Sequence, residues 1–140
     1  MRGVKAEVCL QCGSMSWVMV SKMYVGECRV RKDGRVQCVE SFEQLEYFCR
    51  ECDGSALLGI KGSPAIFREL MGLSPMERIL RALNHIIDGT LEVTDDIGPD
   101  EVLEMLECFK IRWAKLRGEE AAEEFMEKAK EIIGKWKLLE

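Results

Sequence analysis

The chain has 140 residues, 47% of them hydrophobic and 32% charged, with a formal net charge of −5. This balance excludes disorder as the main state and fits one domain, or a small domain with a helical extension. No apolar run approaches the ~20 residues of a membrane-spanning helix, and no charged start leads into an apolar stretch of secretory type, so a cytoplasmic location and no membrane partner are expected.

Charge is close to balanced over residues 1–63, and the acidic excess falls in 64–140. Non-specific nucleic-acid binding by the whole chain is therefore not expected, although a local basic patch can still act. Six of the seven cysteines lie in residues 9–52, and the seventh is Cys108. Inside a cell, such a concentration serves metal more often than disulfides.

Residues 1–54 carry β-branched and aromatic residues in short runs and read as a small antiparallel β unit. Cys9-Leu10-Gln11-Cys12-Gly13 is a C-x2-C-G element, and Cys49-Arg50-Glu51-Cys52-Asp53-Gly54 is a second C-x2-C element with Gly one place later. A four-residue turn aims two sulfurs at one point, and a following Gly allows positive φ so that backbone N–H groups can face them. Two such pairs supply four thiolates, the donor set of a tetrahedral zinc ion at Cys9, Cys12, Cys49 and Cys52. Disulfides or a redox dithiol are the competing reading, and iron is the alternative metal.

Between the pairs, residues 28–38 read Cys-Arg-Val-Arg-Lys-Asp-Gly-Arg-Val-Gln-Cys. Two alternating runs flank Lys32-Asp33-Gly34, which fits a hairpin with a type I turn and a G1 bulge. That register sets Arg31 opposite Arg35, Val30 opposite Val36 and Cys28 opposite Cys38. Cys28 and Cys38 are expected as packed thiols, in preference to a cross-strand disulfide or alternative ligands. Arg29, Arg31 and Arg35 share the other face with Gln37, and Lys32 extends the cluster at the tip. Facing Arg31 with Arg35 costs stability, which suits a tip that meets an anion such as phosphate; charges that block edge pairing are the plainer explanation. Trp17, Tyr24 and Phe42 are candidate stacking platforms or core residues of the sheet.

Residues 55–74 read as a linker with a short helix over Pro64–Met71. Residues 75–140 read as a bundle of three or more helices. Ser74, Pro75 and Glu77 form a capping box at the first start, and Gly89 ends that helix. A second helix from Pro99 to Gly118 carries the stripe Val102, Leu106, Phe109, Trp113 and Leu116. A third carries Ala122, Phe125, Ala129, Ile132, Trp136 and Leu139. The expected class is α+β: a small N-terminal antiparallel β unit over 1–54, followed by a helical bundle.

On its two knuckles, the segment of about residues 5–55 resembles the zinc-ribbon group, whose rubredoxin-like knuckles read C-x2-C-G on either side of a β-hairpin. Tyr47-Phe48-Cys49-Arg50-Glu51-Cys52 is similar to the second knuckle of many ribbons, where an aromatic residue precedes the first Cys. The chain departs from the pattern at Asp53, where Gly is usual, and in the long interval between knuckles. The resemblance implies a zinc-bearing ribbon and a place in transcription, translation or modification machinery.

His85, the single histidine, has no partner Cys or Ser in a nucleophile pattern. Cys108 is expected in the core or at its boundary. Asp95, Asp96, Asp100 and Glu101 lack the EF-hand spacing. A closed set of four thiolates leaves no open catalytic position, so no enzymatic activity is expected. The leading expectation is a zinc-ribbon adaptor that meets nucleic acid, or a nucleic-acid-processing complex, through Arg29, Arg31, Lys32 and Arg35. The alternative is a zinc-stapled protein-interaction or oligomerisation module, pairing with a second copy through Leu106, Phe109, Trp113 and the Trp136 stripe. A redox or metal-handling role for the C-x2-C pairs ranks third.

Overall fold

The computed structural model describes residues 3–20, 25–39 and 46–140. The class is α+β, with N-terminal antiparallel sheets followed by helices, as expected. The strands are β1 (Val4–Cys9), β2 (Ser16–Val20), β3 (Val25–Val30), β4 (Val36–Val39), β5 (Glu46–Cys49), β6 (Leu57–Gly62) and β7 (Glu92–Val93). The helices are α1 (Pro64–Met71), α2 (Pro75–Asp88), α3 (Pro99–Cys108), α4 (Lys110–Arg117) and α5 (Glu119–Leu139). None of these helices is long and apolar enough to cross a membrane.

The strands form two sheets. One has the order β1-β6-β7 and the other β4-β3-β2-β5, with every neighbouring pair antiparallel. β6 lies within the stretch expected as a linker with a short helix. Its run Leu57-Leu58-Gly59-Ile60 is buried, and it is the central strand of the smaller sheet. Ala6 opposite Ile60 and Val8 opposite Leu58 turn one face of that sheet into the core. Phe67, Leu70, Ile79, Leu83, Ile133 and Trp136 join the same apolar cluster from the helices. Burial of this kind contributes about 25 cal/mol per Å² of apolar surface.

Three helices start with proline at the first position: Pro64, Pro75 and Pro99. Proline lacks the N–H that a first turn leaves unpaired, and its φ is already helical. Ser63 accepts from the Ile66 N–H, whereas the Ser74 hydroxyl donates to the Glu77 carboxylate at 3.0 Å. The capping box is thus a side-chain pair, without the expected bond from a backbone N–H to Ser74. The helix expected from Pro99 to Gly118 divides at Phe109, whose N–H is shared between the Met105 and Leu106 carbonyls, each at 3.2 Å. Trp113 then packs on Phe125 with ring centroids 5.6 Å apart, while Leu116 faces solvent. On α5 the buried stripe runs through Met126 and Ile133, which leaves Ile132 half-buried and Leu139 exposed.

Candidate metal centre

The strand pairing places the two C-x2-C turns side by side. β1 of the smaller sheet passes through residues 10–15 into β2 of the larger one. β5 of the larger sheet returns through residues 50–56 into β6 of the smaller one. Because β1 pairs with β6 and β2 with β5, both turns lie on the seam between the sheets. Cys9 closes β1 opposite Leu57, and Cys49 closes β5 opposite Trp17.

Each turn is closed by equivalent backbone bonds. Gly13 N–H donates to the Cys9 carbonyl at 2.7 Å, and Cys9 N–H to the Ser14 carbonyl at 2.8 Å. In the second turn, Asp53 N–H donates to the Cys49 carbonyl at 3.0 Å, and Cys49 N–H to the Gly54 carbonyl at 2.8 Å. The left-handed residue is Gly13 in the first turn, at φ 76°, and Asp53 in the second, at φ 59°. The expectation that Gly54 supplies positive φ is corrected: aspartate is among the few non-glycine residues that tolerate that region. Gly54 lies instead beside the Gln11 side-chain amide.

The four sulfurs lie within 4.8 Å of one another, with Cys9–Cys52 at 3.6 Å and Cys12–Cys49 at 3.5 Å. Four thiolates around a tetrahedral ion with 2.3 Å bonds have edges of about 3.8 Å, so the cluster could hold a metal ion with little adjustment. Without a cation, so many acidic groups at one point compete for protons. Hydrogen bonds with Cys12 and Cys49 push the Cys9 thiol far up, and those with Cys12 and Cys9 pull Cys49 far down. Cys12 is pushed up to about 12, chiefly by its bond with Cys49. A bound cation replaces the shared protons and lets all four ionise.

Arg78, which no spacing in the sequence marks, completes the surroundings. Its guanidinium donates to the carbonyls of Leu70 at 2.9 Å, Leu73 at 3.0 Å and Gly13 at 2.7 Å. It therefore ties the end of α1 and the start of α2 to the first turn. Burial lowers its pKa, and the charge of Cys12 opposes that shift. A cation held beside a thiolate cluster offsets part of its negative charge.

The hairpin has the expected register, with Val30 opposite Val36 and Cys28 opposite Cys38. The Arg31 N–H donates to the Arg35 carbonyl at 2.8 Å, closing the turn. Cys28 and Cys38 form a disulfide, which corrects the expectation of packed thiols. Opposed positions of an antiparallel pair bring Cβ atoms within bridging distance. Arg29, Arg31, Lys32 and Arg35 are all exposed. Three of the four have polar neighbours: Arg29 donates to Gln37 at 3.3 Å, Arg31 lies 3.9 Å from Asp33, and the Asp33 carboxylate accepts the Arg35 N–H at 3.0 Å. That last bond is the main cause of a lowered Asp33 pKa. The tip is seated on α1. Gly34 is buried, and a Cβ there would stand 1.7 Å from the Pro64 carbonyl oxygen and 2.8 Å from the Arg68 nitrogen.

Trp17 is only 4% exposed and belongs to the core, so it is not a stacking platform. Tyr24 and Phe42 lie outside the described residues. Cys108 is exposed, contrary to its expected place in or beside the core. His85 Nε2 meets Glu69 at 2.6 Å and Nδ1 meets Thr90 Oγ1 at 2.8 Å, linking the end of α2 to α1. The bond from His85 holds the Glu69 carboxyl below its ordinary range. Asp95 accepts the Gly59 N–H at 2.7 Å, and Glu7, opposite Gly59, is pushed up to about 8 by burial and then by the Asp95 charge. Among the described residues, no other group of histidine, cysteine and acidic side chains stands close enough to share an ion. Comparison of the chain with protein-family models, with curated proteins and with solved structures yields no match.

Proposed function

We propose that Cys9, Cys12, Cys49 and Cys52 hold one zinc ion in a ribbon-like centre, and that the protein is a non-enzymatic adaptor for nucleic acid or a nucleic-acid-processing complex. The observation that carries the zinc reading is the convergence of four sulfurs within 4.8 Å on two closed turns. An all-thiolate set suits zinc, and a full tetrahedron leaves no position for substrate. Metal analysis of the purified chain should give one zinc per molecule and a colourless protein. A coloured iron centre would overturn the choice of metal.

The nucleic-acid reading is supported by the four exposed basic residues on a hairpin whose turn is braced by α1. A braced tip presents Arg31, Lys32 and Arg35 to phosphate at a lower ordering cost than a free loop. Binding to mixed oligonucleotides should weaken as salt rises, with Arg31/Lys32/Arg35→Ala flattening the log–log slope by up to about three units. Absence of binding, or equal binding by the triple variant, defeats this reading.

The second reading, a protein-interaction module, draws support from Ile111, Leu116, Leu138 and Leu139. These side chains are exposed on α4 and at the end of α5, while Leu106, Trp113 and Trp136 are buried within the chain. Light scattering tests it, since self-association should weaken in Leu138/Leu139→Ser. A strict monomer that takes no protein partner counts against it.

A further inference from the structure

We propose that the Cys28–Cys38 bridge is a reversible redox centre, opened by an external dithiol that attacks the Cys38 sulfur. The two half-cystines have unlike surroundings. Cys28 is 3% exposed on an inner strand, whereas Cys38 is exposed on β4, the edge strand of its sheet. Both line a cavity of about 400 Å³ between the two sheets, with Trp17, Met19 and Tyr47 among its walls. A nucleophile arriving from solvent reaches Cys38 first, and Cys28 is the leaving sulfur.

The hairpin is held without the bridge. Its ladder, its turn bonds and the seat of Gly34 on α1 involve neither sulfur. The bridge also spans only 10 residues of sequence, and short loops gain least from cross-linking. Reduction therefore does not require unfolding. One cross-strand row, Cys49–Trp17–Cys28–Cys38, contains both a cluster cysteine and the bridge. Trp17 occupies the position between them, so the bridge can cycle while the cluster thiols stay with their metal.

The step balances. One thiolate of the dithiol attacks Cys38 Sγ, the S–S bond breaks, and its electron pair leaves on Cys28 Sγ, which takes up a proton. The second thiolate then attacks the mixed disulfide at the reductant's own sulfur, and Cys38 departs with the electron pair and takes up the other proton. Two electrons and two protons pass to the protein, and the reductant becomes a disulfide. Reduction removes the one covalent tie between β4 and β3, the strand that bears Arg29, and leaves their hydrogen-bonded ladder to hold the pair.

The test uses the full, zinc-loaded chain. After incubation in graded mixtures of reduced and oxidised dithiothreitol, native alkylation with iodoacetamide and peptide mass spectrometry should show Cys38 becoming labelled while Cys9, Cys12, Cys49 and Cys52 stay protected, and a second, distinguishable alkylating agent added after acid quench and denaturation should find Cys28 as a free thiol in the same molecules. In separate variants exposed to glutathione disulfide, Cys28→Ser should take up glutathione at Cys38 at least about tenfold faster than Cys38→Ser does at Cys28. A bridge that resists excess dithiothreitol until denaturant is added is a structural staple and overturns the proposal. Equal rates in the two variants overturn the assignment of Cys38 as the point of attack.

Discussion

The two cysteine turns share one spacing and one pattern of backbone bonds, yet they are built into the molecule differently. The first is a joint with the helices. Gly13 stands against the start of α2, where a Cβ would come within 2.8 Å of Pro75 backbone atoms, and Arg78 grips its carbonyl. The second turn leaves Asp53 exposed in the left-handed position and follows β5, an edge strand. Presenting two sulfurs thus requires only a backbone shape, which aspartate can supply. Glycine is obligatory where that shape must also meet another element.

Metal removal tests this contrast most severely. Structural zinc sites supply about 10 kcal/mol or more of folding free energy, so a chelator should open the seam and abolish the strand signal in circular dichroism. Amide hydrogen exchange should then show the second turn losing protection before the first, which Arg78 and Pro75 still anchor. Simultaneous loss would break the comparison.

Glu7 lies on the strand entering the first turn, whereas Glu46 and Tyr47, entering the second, are exposed. The Glu7 carboxyl is pushed up to about 8, so the folded chain keeps a proton that the unfolded chain has released. Stability should therefore fall as pH rises from the ordinary carboxyl range to about 8, by up to about 1.4 kcal/mol per pH unit. Glu7→Gln should flatten that slope in denaturant titrations. An unchanged slope would show that Glu7 is not its source.

Gly13→Ala should cost about 2–4 kcal/mol, because left-handed strain adds to overlap with Pro75 backbone. Arg78→Met keeps the aliphatic stem but orphans three carbonyls, and should cost about 2 kcal/mol while speeding metal loss to a chromogenic chelator. The smallest effect is in the opposite direction. Asp53→Gly should stabilise the metal-loaded protein by about 1 kcal/mol in urea unfolding, by relieving the left-handed position.

Local chemistry was legible in the chain. Proline at the first helical position marked three helix starts, Asp33-Gly34 set the hairpin register, and the doubled C-x2-C spacing foretold sulfurs that meet. What escaped depends on partners distant in sequence. β6 reads as a short apolar run amid glycines, and only pairing with β1 makes it a central strand. Hydrophobic spacing continued through Phe109 because Val102 and Leu106 on α3 and Trp113 on α4 are all buried, although Leu116 is not. Whether opposed cysteines join is a matter of oxidation state, which residue pattern does not encode. Arg78 reaches carbonyls in two stretches far apart in sequence, Gly13 and Leu70 to Leu73, and Gly34, which the turn already needs at φ 87°, also stands against the Pro64 carbonyl, a neighbour no local pattern reveals.

The seating of Gly34 has a mechanical consequence. A push on the arginine-bearing loop bears on the first turn of α1. It passes along that helix to the carbonyls of Leu70 and Leu73, through the Arg78 fork, and into the turn that holds Cys9 and Cys12. The loop and the sulfur cluster thus stand at the two ends of one continuous series of contacts.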